Sequence, residues 1–175
     1  MKKLIFISLL FSILSLSVSA QKPTKAEKAA QLEQEFQQTR QLIESNHFQF
    51  ELNWVYPQGA QDPSRFNPRG KFVITDSVAK GTLPFFGRAY SLPYGEGGGI
   101  EFDGVMKDQS LKIEHKKKRK ILIYRFSITA KNDTYQISME ISGGGNCSVN
   151  LNSNNRAQIS YSGTVSPVKD ETGKS

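Results

Sequence analysis

From Leu122 to Val165 apolar residues fall on every second position, and turn-forming residues cut the run into short pieces. Leu122, Tyr124, Phe126 and Ile128 share one face, as do Tyr135, Ile137, Met139 and Ile141. Cys147, Val149 and Leu151 follow, then Ile159, Tyr161 and Val165. The alternate positions are mostly Thr, Ser, Gln and Asn, the pattern of strands with one face buried and one wet. Lys131-Asn132-Asp133, Gly143-Gly144-Gly145-Asn146 and Ser153-Asn154-Asn155 supply the turns. Connections this short join antiparallel neighbours, because a parallel crossover needs a dozen or more residues. The pattern therefore predicts an up-and-down meander, and a meander of about eight or nine strands curls into a barrel or splits into a two-layer sandwich.

The first part of the chain has other periods. Met1-Lys2-Lys3 is cationic, Leu4 to Leu16 is apolar, and Val18-Ser19-Ala20 places small residues where a signal peptidase reads them. The expectation is a signal peptide over 1–20, cut between Ala20 and Gln21. A bilayer needs about 20 apolar residues in a row, and this run is shorter. The mature protein is then exported, periplasmic or secreted, without a transmembrane anchor. Lys2 and Lys3 leave with the leader, so 23 basic residues become 21 against 16 acidic ones, a mildly basic +5.

Pro23 and Thr24 open a helix, and Thr24 and Glu27 have the spacing of a capping box. Ala29, Leu32, Phe36, Thr39 and Ile43 form a narrow apolar stripe, and Asn46 is a natural stop. The spacing predicts a helix over 24–46. Phe48, Phe50, Leu52, Trp54 and Tyr56 then alternate as a strand that Pro57 ends. A loop rich in Pro and Gly follows, and Phe72 and Ile74 resume strand, with a bend at Asp76-Ser77. The domain organisation is one β-rich domain over 21–175 carrying an N-terminal helix, a mainly β fold of the α+β kind.

Residues 81–104 break the alternation with clustered aromatics, glycines and two prolines. Proline stiffens such a segment, glycine permits close approach, and tyrosine adds a polar tip to an apolar ring. Phe85, Arg88, Tyr90, Tyr94 and Glu101 are the candidate ligand-binding residues here, for a small apolar or sugar-like ligand. The competing reading is a structural plug. Between the two lies the expectation that Phe86 is buried and Tyr94 exposed beside a shallow pocket.

Within this segment Thr82-Leu83-Pro84-Phe85-Phe86-Gly87-Arg88-Ala89-Tyr90, Pro93-Tyr94-Gly95 and Gly99-Ile100-Glu101-Phe102-Asp103-Gly104 resemble the signature of the family called domain of unknown function 4251. The leader, helix and β-rich remainder are similar too, so the resemblance spans nearly the whole mature chain. It implies a secreted or periplasmic protein of Gram-negative type. It brings no activity, cofactor or catalytic residue with it.

The chemistry in the sequence is sparse. Glu101 and Asp103 alternate along a strand, which places them about 7 Å apart on one face, a separation compatible with a glycosidase pair. They are the weak catalytic candidates, and the reading favours a protein without enzymatic activity. Lys116, Lys117, Lys118, Arg119 and Lys120 form a basic hairpin turn, a candidate patch for an envelope polyanion. Its alternative is a charged turn that discourages edge-to-edge pairing. Nucleic acid is not an expected partner, because sites for it spread charge along a face with interleaved aromatics. One Cys and two His argue against a disulfide framework, a thiolate zinc site or a histidine-rich centre, and no metal or cofactor is expected. Cys147, on an apolar strand face, reads as a small buried hydrophobe. His47 and His115 read as surface or capping residues. Three functions stay open: a binding module built on the 81–104 loop, a hydrolase using Glu101 and Asp103, and a structural envelope-interaction protein.

Overall fold

The computed structural model of the chain describes residues 24–58, 69–91, 98–116, 119–130 and 133–169. The expected leader, with Ala20 and Gln21, lies outside the described residues, as do Tyr94, Lys117 and Lys118. The chain divides into two compact units, residues 1–31 and 32–175.

The helix of the described residues, α1 (Lys25–Glu44), begins behind a reciprocal cap. Thr24 N–H donates to Glu27 Oε2 at 2.6 Å and Glu27 N–H to Thr24 Oγ1 at 3.2 Å, so two otherwise orphaned donors are satisfied. Asn46 takes φ +49°, the left-handed turn that ends the helix and starts the sheet. Phe36, Thr39 and Ile43 are buried along the stripe, and Thr39 is accommodated because its hydroxyl donates to the Glu35 carbonyl at 2.9 Å. Leu32, expected in the stripe, is 63% exposed, so the buried face begins at Phe36.

Eight antiparallel strands follow: β1 (His47–Pro57), β2 (Lys71–Thr75), β3 (Val78–Leu83), β4 (Ile100–Lys116), β5 (Arg119–Thr129), β6 (Thr134–Ser142), β7 (Asn146–Ser153) and β8 (Ile159–Pro167). Each pairs with the next, and β8 returns to β1, closing the barrel that the alternation left open against a sandwich. Eight strands enclose a lumen just wide enough for side chains to fill. Aromatic rings fill it. Phe50 stacks on Phe72 at 5.0 Å, Phe72 meets Phe102 at 5.9 Å, and Phe102 meets Tyr135 at 6.1 Å. The inward faces expected for β5 to β8 are the observed ones, Cys147 included.

In such a meander the turns alternate between two ends of the barrel. At one end lie the β2–β3 turn at Asp76-Ser77 and the β6–β7 turn at 143–145. The last turns of α1 cover this end. Phe36 backbone atoms lie so near Gly143 that a Cβ there would sit 3.2 Å from the Phe36 nitrogen, and Asp76 N–H donates to the Asn46 carbonyl at 2.8 Å. At the other end lies the segment between β3 and β4.

One strand departs from the expected alternation. Phe48 and Phe50 point inward, but the register of β1 on β8 shifts between Leu52 and Trp54. This bulge puts one extra residue into β1 and exchanges its faces. Val55 becomes the buried residue, and Trp54 and Tyr56, expected inside, are 42% and 43% exposed. The crossing is close at this point because β8 carries Gly163. A Cβ there would lie 2.0 Å from the Glu51 carbonyl oxygen and 2.7 Å from the Phe50 ring.

Candidate functional site

The aromatic–glycine segment is anchored to the connection between β7 and β8. Tyr161, buried in the barrel, donates its hydroxyl to the Pro84 carbonyl at 2.9 Å. Ala157 N–H donates to the Arg88 carbonyl at 2.9 Å, and Tyr90 N–H donates to the Asn155 carbonyl at 2.8 Å. Ala89 and Arg156 make an isolated antiparallel bridge between these bonds. A loop held by paired backbone groups on both sides behaves as a short extra strand at the barrel mouth.

Arg156 organises this end. It is 6% exposed, its guanidinium lies 5.2 Å from the centre of the Phe85 ring, and its Nη1 donates to the Gly98 carbonyl at 3.2 Å. Its Nε lies 3.9 Å from Asp133 Oδ2, too far for a hydrogen bond, and has no hydrogen-bond partner among the described residues. The Arg156–Asp133 pair is therefore electrostatic and buried, and Asp133 is fixed in turn by the Ser153 hydroxyl. One planar cation joins the start of the loop at Phe85, its end at Gly98, and the β5–β6 turn.

The candidate residues divide accordingly. Phe85 is partly buried and packs on the core, while Phe86, expected to be the plug, is 37% exposed. Adjacent residues of an irregular loop point in different directions, and Gly87 lets the backbone fold over the Phe85 ring, 2.9 Å from where a Cβ would stand. Arg88 is exposed and Tyr90 is 65% exposed. Glu101 and Asp103 both face outward on β4, and Asp103 pairs with Lys80 across the β3–β4 ladder at 2.7 Å. That pairing raises the Lys80 pKa, chiefly through the hydrogen bond to Asp103. Both carboxylates thus stand on the exposed outside of the barrel, not in a cleft.

The basic turn is partly neutralised. Lys116 Nζ lies 2.6 Å from Glu140 Oε2, and Lys120 Nζ lies 2.9 Å from Glu33 Oε1 and 5.6 Å from the centre of the Phe36 ring. Lys120 thus also holds the helix, and Arg119 is exposed. Both histidines are exposed, His47 at the start of β1 and His115 near the end of β4. Cys147 is buried on the inward face of β7, and burial pushes its thiol pKa strongly upward. Among the described residues no group of three or more His, Cys, Asp and Glu side chains is arranged to hold a metal ion.

Sequence reasoning read Trp54 and Tyr56 as strand residues and Asp133 as a turn residue, and named neither these nor Arg156 as site candidates. A lone arginine after Ser153-Asn154-Asn155 looks like an ordinary turn residue, and the signal that distinguishes it is long-range.

The family model described as Domain of unknown function (DUF4251) matches residues 30–165. The chain belongs to this family. A crystal structure of a DUF4251 family protein from Bacteroides eggerthii DSM 20697 has the same fold. It is 22% identical, with a TM-score of 0.54, and the match covers 79% of this chain and 91% of that one. Among curated proteins no match is found. The matched region runs from within α1 to β8, so the DUF4251 domain here includes the barrel strands, the 84–99 segment and Arg156.

Proposed function

We propose that this DUF4251 chain is an exported, non-enzymatic binding module in which the barrel is scaffold and the anchored loop 84–91 is the contact surface. The observation that carries this reading is the division of the loop. Phe85 is turned to the core under Arg156, while Arg88 and Tyr90 are held on backbone bonded to 155–157 and face solvent. A surface ordered in advance binds without a large ordering cost. Filling of the lumen by aromatic side chains favours a ligand taken at the rim, of the apolar or sugar-like kind that a tyrosine ring beside a guanidinium suits. Export is supported by Lys2-Lys3, the apolar run 4–16 and the Val18-Ser19-Ala20 site.

The test is purification from the native envelope, with intact-mass measurement and mass spectrometry of extracted small molecules. The expected protein begins at Gln21 and retains a molecule that Arg88→Ala and Tyr90→Ala each lose. Equal extracts from all three proteins overturn the loop as the contact surface. A species retaining Met1 overturns cleaved export.

A further inference from the structure

The bulge in β1 creates a second surface, on the outside of the barrel wall. Trp54 and Tyr56 stand two residues apart on the outside of the barrel, about 7 Å from one another along the strand. Their register neighbours on β8 are Ser162 and Ser160, and the next neighbours on β7 are Ser148 and Asn150. Tyr56 directly opposes Ser160, yet its hydroxyl lies 3.5 Å from Ser162 Oγ, its diagonal neighbour. The ring therefore lies back along the sheet and turns a face to solvent. Ser160 donates to Asn150 Oδ1 at 2.7 Å, so the polar row beside the rings is ordered.

The β7 and β8 rows of this face carry no charge. The outward positions of β7 (146, 148, 150 and 152) and of β8 (160, 162, 164 and 166) are Ser, Thr or Asn without exception, in a chain that is 22% Asp, Glu, Lys and Arg. Charge resumes on either side of them, at Glu140 on β6 beside Ser148 and at Glu51 on β1 opposite Thr164, where Lys169 pairs with it at 3.1 Å. Exposed large aromatics next to one another are the informative kind of surface, and their neighbours define what they suit. A charged ligand would find no counter-charge in these rows, and at their edge Glu51 and Lys169 already pair with one another. An apolar partner would bury serine and asparagine groups without hydrogen bonds, at a cost for each. A ligand with both an apolar face for the rings and many uncharged hydroxyls for the row meets neither penalty.

We infer that the outer face of β1, β8 and β7 is a binding site for a neutral polysaccharide, its sugar rings stacked on Trp54 and Tyr56 and its hydroxyls bonded by Ser160, Ser162 and Asn150. The openness of the face suits an extended chain.

Trp54 is the only tryptophan of the chain, so intrinsic fluorescence reads this face alone. The full-length mature protein is titrated with the neutral hexaoses of cellulose, xylan, mannan and amylose, and with oligogalacturonate as the charged comparator. The expected result is a saturable shift in emission with at least one neutral hexaose and none with oligogalacturonate. Tyr56→Ala weakens that binding by about tenfold, the loss of one ring contact. In affinity gels cast with the matching polymer, Trp54→Ala abolishes retardation, while circular dichroism stays that of the parent and Val105→Ala, at an exposed position on β4, is retarded normally. Three results would overturn the site: emission unchanged by every neutral hexaose at millimolar concentration, a response to oligogalacturonate alone, or retardation that survives in the Trp54→Ala, Tyr56→Ala double variant.

Discussion

The guanidinium of Arg156 lies over the Phe85 ring, 5.2 Å from its centre, with Arg156 buried and Phe85 partly buried. This contact ties a loop to the barrel, and it couples a charge to the core. Among the described residues Asp133 is the carboxylate that faces this charge, at 3.9 Å, and both side chains are about nineteen-twentieths buried, at 5% and 6% exposure. Taking one member away strands the other in a poorly solvated place. Arg156→Ala is therefore expected to cost about 3–5 kcal/mol in urea unfolding, whereas the Arg156→Ala, Asp133→Asn double variant loses less than the two single changes added together. Strict additivity would show that the two charges do not interact.

The two phenylalanines of the loop separate its structural and exposed halves. Phe85→Ala removes a ring that packs on the core and carries Arg156, and a loss of about 3 kcal/mol is expected. Phe86→Ala, at a 37% exposed position, is expected to cost about 1 kcal/mol or less. Denaturant midpoints of the two variants, measured side by side, check the order. The reverse order would make Phe86 the plug.

How far the alternation of apolar residues reveals this fold depends on where the partners lie. In β5 to β8 each hairpin is local, the pairing is regular, and every apolar face named from Leu122 to Val165 is inward. The capping box at Thr24 and Glu27 is equally local and equally visible. Closure by β1 on β8 joins residues more than a hundred positions apart, and no local period distinguishes it from a sandwich. The bulge at Leu52/Trp54 belongs to the same long-range crossing, which is why Trp54 and Tyr56 read as core and stand outside. Phe85 and Phe86 are adjacent in an irregular segment, where no period exists to separate them. Arg156 gains its role only when residues 85, 98 and 133 converge on it. Leu32 has the stripe spacing of a core residue and yet lies before the first buried position, Phe36.

Gly163 marks the tightest crossing in the barrel. It faces inward on β8, and a methyl group there would overlap the Glu51 carbonyl oxygen of β1, which cannot swing aside as a side chain would. The Phe50 ring occupies the remaining space, stacked on Phe72. Gly163→Ala is expected to destabilise by about 3 kcal/mol or more, the upper part of the range for overpacking. Thermal unfolding checks this, with Gly98→Ala as the control, since nothing lies within 4 Å of a Cβ at Gly98. Equal melting temperatures for the Gly163 variant and the parent would mean that β1 and β8 separate at no cost.

Stability should also fall at alkaline pH, through buried phenols. Burial pushes the Tyr124 hydroxyl up to about 12, and its oxygen sits 2.9 Å from Gln109 Oε1 and 3.1 Å from Asn46 Oδ1, so its proton is held among acceptors. Burial moves Tyr161 in the same direction, against the pull of the Arg156 charge. In the unfolded chain a tyrosine ionises near pH 10, roughly the ordinary value. The folded pKa is the higher one, so the contribution is fully present below about pH 10 and is lost as pH rises through about 12. Above about pH 10 the unfolded state binds fewer protons than the folded state, so the slope of stability against pH is negative there. Denaturant midpoints between about pH 9 and pH 12 should fall accordingly. The fall should be shallower in Tyr124→Phe, which has no phenol to ionise at that position. Phenolate absorbance gives the direct reading: at least two of the six tyrosines should titrate only above the ordinary range while the protein stays folded. Ionisation of all six near the ordinary value in the folded protein would show that Tyr124 and Tyr161 are open to water, against their place in the barrel core.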